Sequence, residues 1–318
     1  MGDWSKTGSA FVDEVKKTGL RGLRDKFKAE VRHYKPDGSC KVWEKNPTRN
    51  RFKDIRCLDS SRVKLQNTEN DYIHASWVQT GDKKFILTQG PLQNTAEHFW
   101  EMVVENKCAT IVMLCDFKEC GKPKCFEYFG EAVGEVKFGG VKVKTTTVDK
   151  ALKRVQKSCF EVTHFRFDAW QDHCAPDDTK TTLRLLYEML QHSDEAGGPV
   201  VIHCSAGVGR TGAFVGAVMA LEALRLGTTP MDLSAIVKKL RDQRLMAVQS
   251  DLQFLFLGRA ALEALAEKKV CSSSDDWYKT FISDYNGYTA HKKKKIEEIL
   301  LKRSTVHDNS FEESWITD

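Results

Sequence analysis

The spacing of apolar residues divides the chain into short helices and strands. Around Gly19 and Gly22, residues 10–33 mix apolar and charged positions at helical spacing, which predicts one or two short helices. Further helices are predicted at about 96–107, after 178, near 210, at 231–242 and at 250–268. Strands are predicted at 72–88, 109–114, 124–128, 135–148 and 158–167.

These strands and helices interleave, and hairpin-like strands occur in the middle of the chain. The pattern predicts an α/β (α+β) fold: a single domain with a central twisted mixed β-sheet flanked by helices. One strand leads directly into a glycine-rich loop, because the apolar run GGPVVIHC at 197–204 is followed by further glycines and then by a helix near Arg210. A phosphate-binding loop is therefore expected between that strand and that helix.

Composition excludes several classes of protein. A hydrophobic share of 41% and a charged share of 29% are ordinary for a folded domain in water. No apolar run of about eighteen residues occurs, and the N-terminus lacks the apolar core of a signal peptide, so no transmembrane segment is expected. The ten cysteines lack paired spacing, which predicts reduced thiols and a cytoplasmic or nuclear location. A net charge of +5 is too small to predict nucleic acid as a partner.

The two ends of the chain differ from its centre. Residues 1–24 are predicted to form an N-terminal helical extension, residues 25–268 the main domain, and residues 269–318 a charged tail with one amphipathic helix. In the tail, the four lysines Lys292, Lys293, Lys294 and Lys295 precede an apolar stretch. They allow contact with an anionic membrane or a nuclear import signal, but a solvated helix with a basic start is the preferred interpretation.

Residues 203–212, HCSAGVGRTG, carry the candidate chemistry. In a glycine-rich turn before a helix, several backbone N–H groups point inward and attract a phosphate, and the same field stabilises a thiolate on Cys204 at the base of the loop. Arg210 would fold over the loop and bind two phosphate oxygens with its planar guanidinium, which a lysine could not match. Cys204 is therefore the candidate nucleophile and Arg210 the candidate phosphate-binding residue.

The pattern CxxxxxR, flanked by His203 and Thr211, resembles the signature of the protein tyrosine phosphatase superfamily, and VIHCSAGVGRTG resembles its classical branch. The resemblance covers residues 25–268, implies a catalytic domain there, and implies phosphotyrosine-containing proteins or peptides as substrates, with no metal or other cofactor. It also implies that the phosphate is bound by the loop residues Ser205, Ala206, Gly207, Val208 and Gly209.

Asp172 is the candidate general acid, because a departing phenolate needs a proton. The stretch FDAWQDHCAP, residues 167–176, resembles the mobile loop of the family, in which Trp, Pro and Asp follow one another. Trp170 and Asp172 match that order, whereas Gln171 replaces the proline. Loss of the proline frees one φ angle and adds an N–H, which is expected to change the population of the closed loop and to lower activity.

Two further segments resemble the classical branch. NRFKDI, residues 50–55, aligns with the loop that deepens the cleft, so that Phe52 would stack on the substrate ring and Asp54 would bind the peptide backbone. Lys53 beside them is expected to favour acidic residues before the phosphotyrosine. VQSDLQ, residues 248–253, aligns with the segment that positions water for the second step, with Gln249 as the candidate and Gln253 beside it.

Supporting roles are implied for other positions of the family pattern. ECGKPKCFEY, residues 119–128, would bring Glu119 near Arg210 and Lys124 near Asp172. His203 would support the nucleophile by a backbone hydrogen bond or by filling the core, and Thr211 would donate to the sulfur when it leaves. DYIHAS, residues 71–76, has His74 where the family usually has Asn, and a structural role is expected for it.

Three alternatives stay open. Because Gln171 departs from the motif, the domain could be a catalytically weak or inactive phosphotyrosine-binding pseudophosphatase or scaffold. A dual-specificity phosphatase is disfavoured by the length of the chain and by the cleft-deepening NRF segment. A zinc or redox role for Cys115, Cys120 and Cys125 has little support, since no CxxC pair occurs and buried structural cysteines are commoner.

Overall fold

The computed structural model describes residues 4–66, 68–152, 155–159, 162–227 and 231–304. Its strands are β1 (Arg62–Lys64), β2 (Tyr72–Thr80), β3 (Lys83–Thr88), β4 (Thr110–Met113), β5 (Lys118–Glu119), β6 (Lys122–Pro123), β7 (Gly134–Phe138), β8 (Val141–Thr145), β9 (Thr147–Leu152), β10 (Val155–Cys159), β11 (Thr163–Phe167) and β12 (Val200–His203). Its helices are α1 (Trp4–Lys26), α2 (Lys41–Glu44), α3 (Ala96–Glu105), α4 (Thr179–Ala196), α5 (Gly209–Leu226), α6 (Leu233–Arg241), α7 (Asp251–Glu267) and α8 (Asp276–Ser304).

A mixed sheet lies at the centre of the molecule, with the order β1-β2-β3-β12-β4-β11-β10-β9 within the described residues. The four inner strands β3, β12, β4 and β11 run parallel, and the outer strands pair antiparallel. The pairs β5–β6 and β7–β8 form small separate sheets. The predicted α/β fold with a mixed sheet is therefore confirmed.

The helices bury the sheet and one another. Helices α5 and α7 are apolar on nearly every face, and both are almost wholly buried, as an all-round apolar helix must be in water. Helix α7 contacts α1, α4, α5, α6 and α8. Because α5 and α7 are fixed by this packing, their N-terminal ends are rigid platforms for the loops that precede them.

The main departures from the predicted elements have local causes. Helix α1 is long and is interrupted at Gly19, where φ is 61° and ψ is −165°, and a π-helix follows at Phe27–Val31. The strand predicted at 124–128 is wrong, because the backbone N–H groups of Lys124 and Phe126 donate to the loop carbonyls of Phe117 and Pro91. The segment predicted as one strand at 158–167 belongs to two strands, β10 and β11.

Helix α8 carries the lysine run of the tail. Lys293 donates to both carboxylate oxygens of Asp177 at 2.7 and 2.9 Å, and the ammonium of Lys292 lies 6.0 Å from the ring centre of Tyr288. Two of the four lysines therefore already contact protein groups. Within the described part of the chain, we find no helix with the length and apolarity needed to cross a membrane.

Candidate active site

Residues 204–208 connect β12 to α5 and form a tight loop, which we call the phosphate loop. It lies at the C-terminal end of the parallel strand β12. β12 lies between β3 and β4, so the loop emerges from the middle of the sheet. Gly207 adopts a φ of 70°, and a Cβ atom there would lie 2.0 Å from the carbonyl oxygen of Thr88. The loop can therefore lie against β3 only because residue 207 has no side chain.

The thiol of Cys204 lies at the base of this loop. Its residue is 1% exposed, and the backbone N–H of Gly207 donates to its Sγ at 3.2 Å. The loop is anchored on its other side by Ser205, whose hydroxyl donates to the Lys124 carbonyl at 2.9 Å and whose own carbonyl accepts from Gly90 N–H at 2.8 Å. A thiolate at this position would face backbone N–H groups and the N-terminal end of α5.

Arg210 is fully buried beside the loop and is held by acidic groups. Its Nη1 and Nη2 donate to the two carboxylate oxygens of Glu119 at 2.6 and 3.2 Å, and Nη1 also donates to the Trp170 carbonyl at 2.8 Å. Burial alone would lower the pKa of Arg210, but Asp172 and Glu119 outweigh it and raise that pKa. Nε of Arg210 is buried with no hydrogen-bond partner among the described residues, which leaves one N–H for a ligand.

Asp172 lies against both cations of the site. Its Oδ2 accepts from Lys124 Nζ at 2.8 Å, and its Oδ1 lies 3.3 Å from Nη2 of Arg210. Burial favours the neutral acid, but the charges of Arg210 and Lys124 outweigh that effect and hold the pKa of Asp172 well below its usual range. In this state the carboxyl is ionised and forms a bridge between the two cations.

The loop that carries Asp172 is folded down onto the domain. Trp170 is fully buried, and its indole N–H donates to the Cys174 carbonyl at 2.7 Å. The hydroxyl of Ser250 donates to the His173 carbonyl at 2.8 Å, which ties the loop to the start of α7. Gln171 therefore does not prevent the loop from reaching Arg210.

The side chains of Gln249 and Gln253 lie close to Gly209, where the phosphate loop ends and α5 begins. A Cβ atom at Gly209 would lie 2.6 Å from Gln249 Oε1 and 2.8 Å from Gln253 Nε2. Gln253 accepts at Oε1 from the backbone N–H of Gln249 at 2.9 Å. Its Nε2, like Oγ1 of Thr211, is buried with no hydrogen-bond partner in the part of the chain that the structure describes.

An apolar wall flanks the loop. Phe52 is half-buried and packs with Met246 against Ile55, Ala206 and Val208. Lys53 and Asp54 next to it are exposed. This apolar wall therefore lies directly beside the phosphate loop, and charged groups stand at its rim.

His203, next to Cys204 in the chain, lies in a buried chain of hydrogen bonds. Its Nδ1 lies 3.1 Å from the Cys204 carbonyl oxygen, and its Nε2 lies 2.6 Å from the hydroxyl of Tyr128, which also lies 2.6 Å from Nε2 of His164. Burial is the main cause that lowers the pKa of His203 to about 4 and that of His164 to about 3. Both imidazoles are therefore neutral at physiological pH and act as hydrogen-bond supports.

Sequence reasoning missed several of these supports. Arg244 is fully buried and donates to the carbonyls of Gly207 and Ala206 at 3.0 and 3.2 Å, which holds the phosphate loop from below. Nothing in its context, QRLMAV, distinguishes it from a surface arginine. Tyr128 and Met246 were also missed, since their contacts come from tertiary packing. Cys115 and Cys125 are buried while Cys120 is exposed, and no metal-binding group of three acidic, histidine or cysteine side chains occurs among the described residues.

Comparison with known proteins agrees with this geometry. The family model described as protein-tyrosine phosphatase matches residues 46–263. Mouse tyrosine-protein phosphatase non-receptor type 9 is 33% identical over 296 residues, which cover 82% of this chain and 49% of the relative. Caenorhabditis elegans tyrosine-protein phosphatase Lar-like and human receptor-type tyrosine-protein phosphatase C are 36% and 35% identical over 236 residues, covering 69% of this chain and 11% and 18% of theirs. The chain spans about half the length of the first relative and less of the other two, and the matched region shows that it belongs to the protein-tyrosine phosphatase family.

Proposed function

We propose that this chain hydrolyses phosphotyrosine in proteins through a cysteinyl-phosphate intermediate on Cys204. The observation that carries the proposal is the convergence of three groups on one loop: the Cys204 thiol at its base, the Arg210 guanidinium beside it and the Asp172 carboxylate 3.3 Å from that guanidinium. A thiolate nucleophile, a phosphate-binding fork and an acid are the groups that transfer of a phosphoryl group to sulfur requires.

In the first step the Cys204 thiolate attacks phosphorus, an S–P bond forms and the P–O bond to the tyrosine oxygen breaks. Nε and Nη2 of Arg210, together with the loop N–H groups of residues 205–209, bind the phosphoryl oxygens. The proton that the leaving phenolate needs comes from Asp172. Glu119 keeps the guanidinium oriented by its two hydrogen bonds of 2.6 and 3.2 Å.

The protonation state of Asp172 must change when substrate binds. In the free protein Arg210 and Lys124 hold its pKa well below the usual range, so it carries no proton at neutral pH. A phosphate group in the loop neutralises Arg210, which removes the main cause of that depression and favours proton uptake by Asp172. The required proton enters with the substrate as a phosphate monoanion and passes to Asp172 in the complex.

In the second step water attacks the phosphorus and the S–P bond breaks. Asp172, now a carboxylate, accepts a proton from that water. Gln249 and Gln253 orient the water, because both side chains reach the surface of Gly209 and Nε2 of Gln253 has no partner within the described residues. Thr211 donates from its buried hydroxyl to the departing Cys204 thiolate.

Selectivity for phosphotyrosine comes from the wall that includes Phe52. A tyrosine ring would stack on this wall while its phosphate reaches the loop, whereas phosphoserine is too short to do both. Asp54 would accept a hydrogen bond from the peptide backbone of the substrate, and Lys53 would favour acidic residues before the phosphotyrosine. A peptide library that is insensitive to upstream acidity would contradict the role of Lys53.

The organisation of the chain and its location are proposed on the sequence. A catalytic domain at 25–268, a helical extension at 1–24 and a charged tail at 269–318 are supported by the extent of the resemblance and by composition. A cytoplasmic or nuclear location is supported by the cysteine pattern. Contact of the four lysines Lys292, Lys293, Lys294 and Lys295 with an anionic membrane stays a prediction.

Turnover without metal tests the proposal. Wild type, Cys204→Ser and Asp172→Ala are assayed with para-nitrophenyl phosphate and with a phosphotyrosine peptide. We expect wild type to hydrolyse both, Cys204→Ser to be inactive and Asp172→Ala to be slowed by about 10²–10⁴-fold, the range for loss of a general acid. An inert wild type that still binds the phosphopeptide would overturn the proposal in favour of a phosphotyrosine-binding domain.

A further inference from the structure

His74 lies on β2 and is linked to both loops that would hold a substrate, directly to the segment that ends at Ile55 and through Arg244 to the phosphate loop. Its Nε2 lies 2.9 Å from the carbonyl oxygen of Ile55, at the end of the segment that carries Phe52. Its Nδ1 lies 3.2 Å from Nη2 of Arg244, and the same Nη2 donates to the Ala206 carbonyl at 3.2 Å. The imidazole therefore joins the apolar wall at Ile55 to Arg244, which in turn holds the phosphate loop.

The chemistry of the two neighbours fixes the state of this imidazole. A guanidinium has only N–H donors, so Nδ1 of His74 must accept from Arg244. A carbonyl oxygen only accepts, so Nε2 must carry the hydrogen and donate to Ile55. If Nδ1 also carried a proton, that proton would point at the guanidinium of Arg244. Burial and the charge of Arg244 therefore lower the pKa of His74 to about 3. The ring is thus neutral and a single tautomer fits.

We infer that His74 is a positioning residue with two separable functions, in which Nδ1 sets the phosphate loop through Arg244 and Nε2–H sets the aromatic wall through Ile55. His74 is 1% exposed, which keeps its ring away from a bound substrate, so its influence on binding passes through Ile55 and Arg244. This inference rests on the proposed phosphatase function.

Two substitutions separate the functions, because each amide reproduces one ring nitrogen. In His74→Asn the amide oxygen lies the same number of bonds from Cβ as Nδ1, so the contact with Arg244 is kept and that with Ile55 is lost. In His74→Gln the amide nitrogen corresponds to Nε2, so the contact with Ile55 is kept and that with Arg244 is lost. His192→Asn is the matched control, since His192 also bonds two groups, Thr110 and Thr163, at 2.9 and 2.8 Å.

Binding is measured by calorimetry for inorganic phosphate and for a phosphotyrosine peptide, each variant also carrying Cys204→Ser to prevent turnover. We expect His74→Asn to lower the affinity for the peptide by about 5–10-fold, as the loss of one hydrogen bond to the wall predicts, and to change the affinity for phosphate by less than about twofold. We expect His74→Gln to lower the affinity for both ligands by a similar factor. His192→Asn should change the affinity for neither ligand. In the active enzyme, His74→Asn should raise KM for the peptide with kcat little changed, whereas His74→Gln should also lower kcat.

If both His74 variants lost the same affinity for phosphate and for the peptide, or if neither variant lost any, the inference would be overturned. The proposed phosphatase function would not be affected by that result. A wild type that binds neither ligand would overturn the proposed function and the inference with it. Nitrogen NMR of the wild type needs no variant: we expect a non-protonated Nδ1 and a protonated Nε2 that do not change between pH 5 and pH 8. The opposite tautomer, or a titration in that range, would also contradict the bridge.

Discussion

Nη2 of Arg210 lies 3.3 Å from Oδ1 of Asp172, so the candidate phosphate-binding cation and the candidate acid form an ion pair. Each group changes the ionisation of the other: the pKa of Asp172 is held low and that of Arg210 is raised. A phosphate bound as proposed would compete with Asp172 for the same guanidinium. We therefore expect binding of substrate and protonation of Asp172 to be coupled.

The first prediction concerns the pH dependence of kcat/KM. Because free Asp172 is ionised, the productive encounter needs the phosphate monoanion, whose last pKa is about 6. The wild-type kcat/KM should therefore fall about tenfold per pH unit above about pH 6. In Asp172→Asn no proton is transferred from this position, and that alkaline fall should disappear. A fall of equal steepness in the variant would contradict the role of Asp172.

The second prediction concerns stability in acid. The pKa of Asp172 is lower in the folded protein than in the unfolded chain, where it is about 3.9. Its contribution is then fully present above that unfolded value and is lost as the pH falls through the folded value. The difference in free energy of unfolding between wild type and Asp172→Asn, measured in phosphate-free buffer, should favour wild type at pH 7 and shrink below about pH 4. A difference that grows in acid would contradict the ion pairing.

The third prediction concerns Gly207. Gly207→Ala should abolish phosphate binding, because its Cβ would lie 2.0 Å from the Thr88 carbonyl oxygen. Gly227 is the matched control: its φ of 72° resembles the 70° of Gly207, but a Cβ atom there would meet no neighbouring group of the described residues within 4 Å. Gly227→Ala should cost only the left-handed strain, about 1–2 kcal/mol, with activity unchanged. Calorimetric titration with phosphate checks both; phosphate binding by Gly207→Ala would contradict the close contact.

The fourth prediction concerns Gln171. A proline there would restrict φ and reduce the number of open conformations of the loop, an effect of roughly 0.4–1 kcal/mol, or about two- to fivefold in the closed population. Gln171→Pro should therefore raise kcat for para-nitrophenyl phosphate by about that factor when loop closure limits the rate. Steady-state kinetics at saturating substrate measure it. An unchanged or lower kcat would show that Gln171 does not limit the wild type.

The sequence was most informative where the determinants are local. The apolar run VVIH, the glycines after it and the spacing of Cys204 and Arg210 predicted the strand, the loop and the helix, and the fold and family are confirmed. Glu119 and Lys124 were expected near Arg210 and Asp172, and the structure brings them there. Their roles in the reaction stay predictions.

Long-range contacts between buried polar groups could not be predicted. Arg244 and His74 are 170 residues apart, and Tyr128 and His203 are 75 apart, so no periodicity links them. The wrong prediction of a strand at 124–128 also comes from contacts between distant parts of the chain. Its apolar residues Cys125 and Tyr128 are buried, but the backbone of the segment bonds to loops instead of a neighbouring strand.

The most direct test of covalent catalysis is to isolate the intermediate. Gln249→Ala, which should slow hydrolysis of the S–P bond more than its formation, is mixed with a phosphotyrosine peptide, quenched in acid and analysed by peptide mass spectrometry. We predict one added phosphoryl group on the peptide that contains Cys204, and none in Cys204→Ser. Release of phosphate at a normal rate by Cys204→Ser, with no phosphorylated cysteine in Gln249→Ala, would contradict the account.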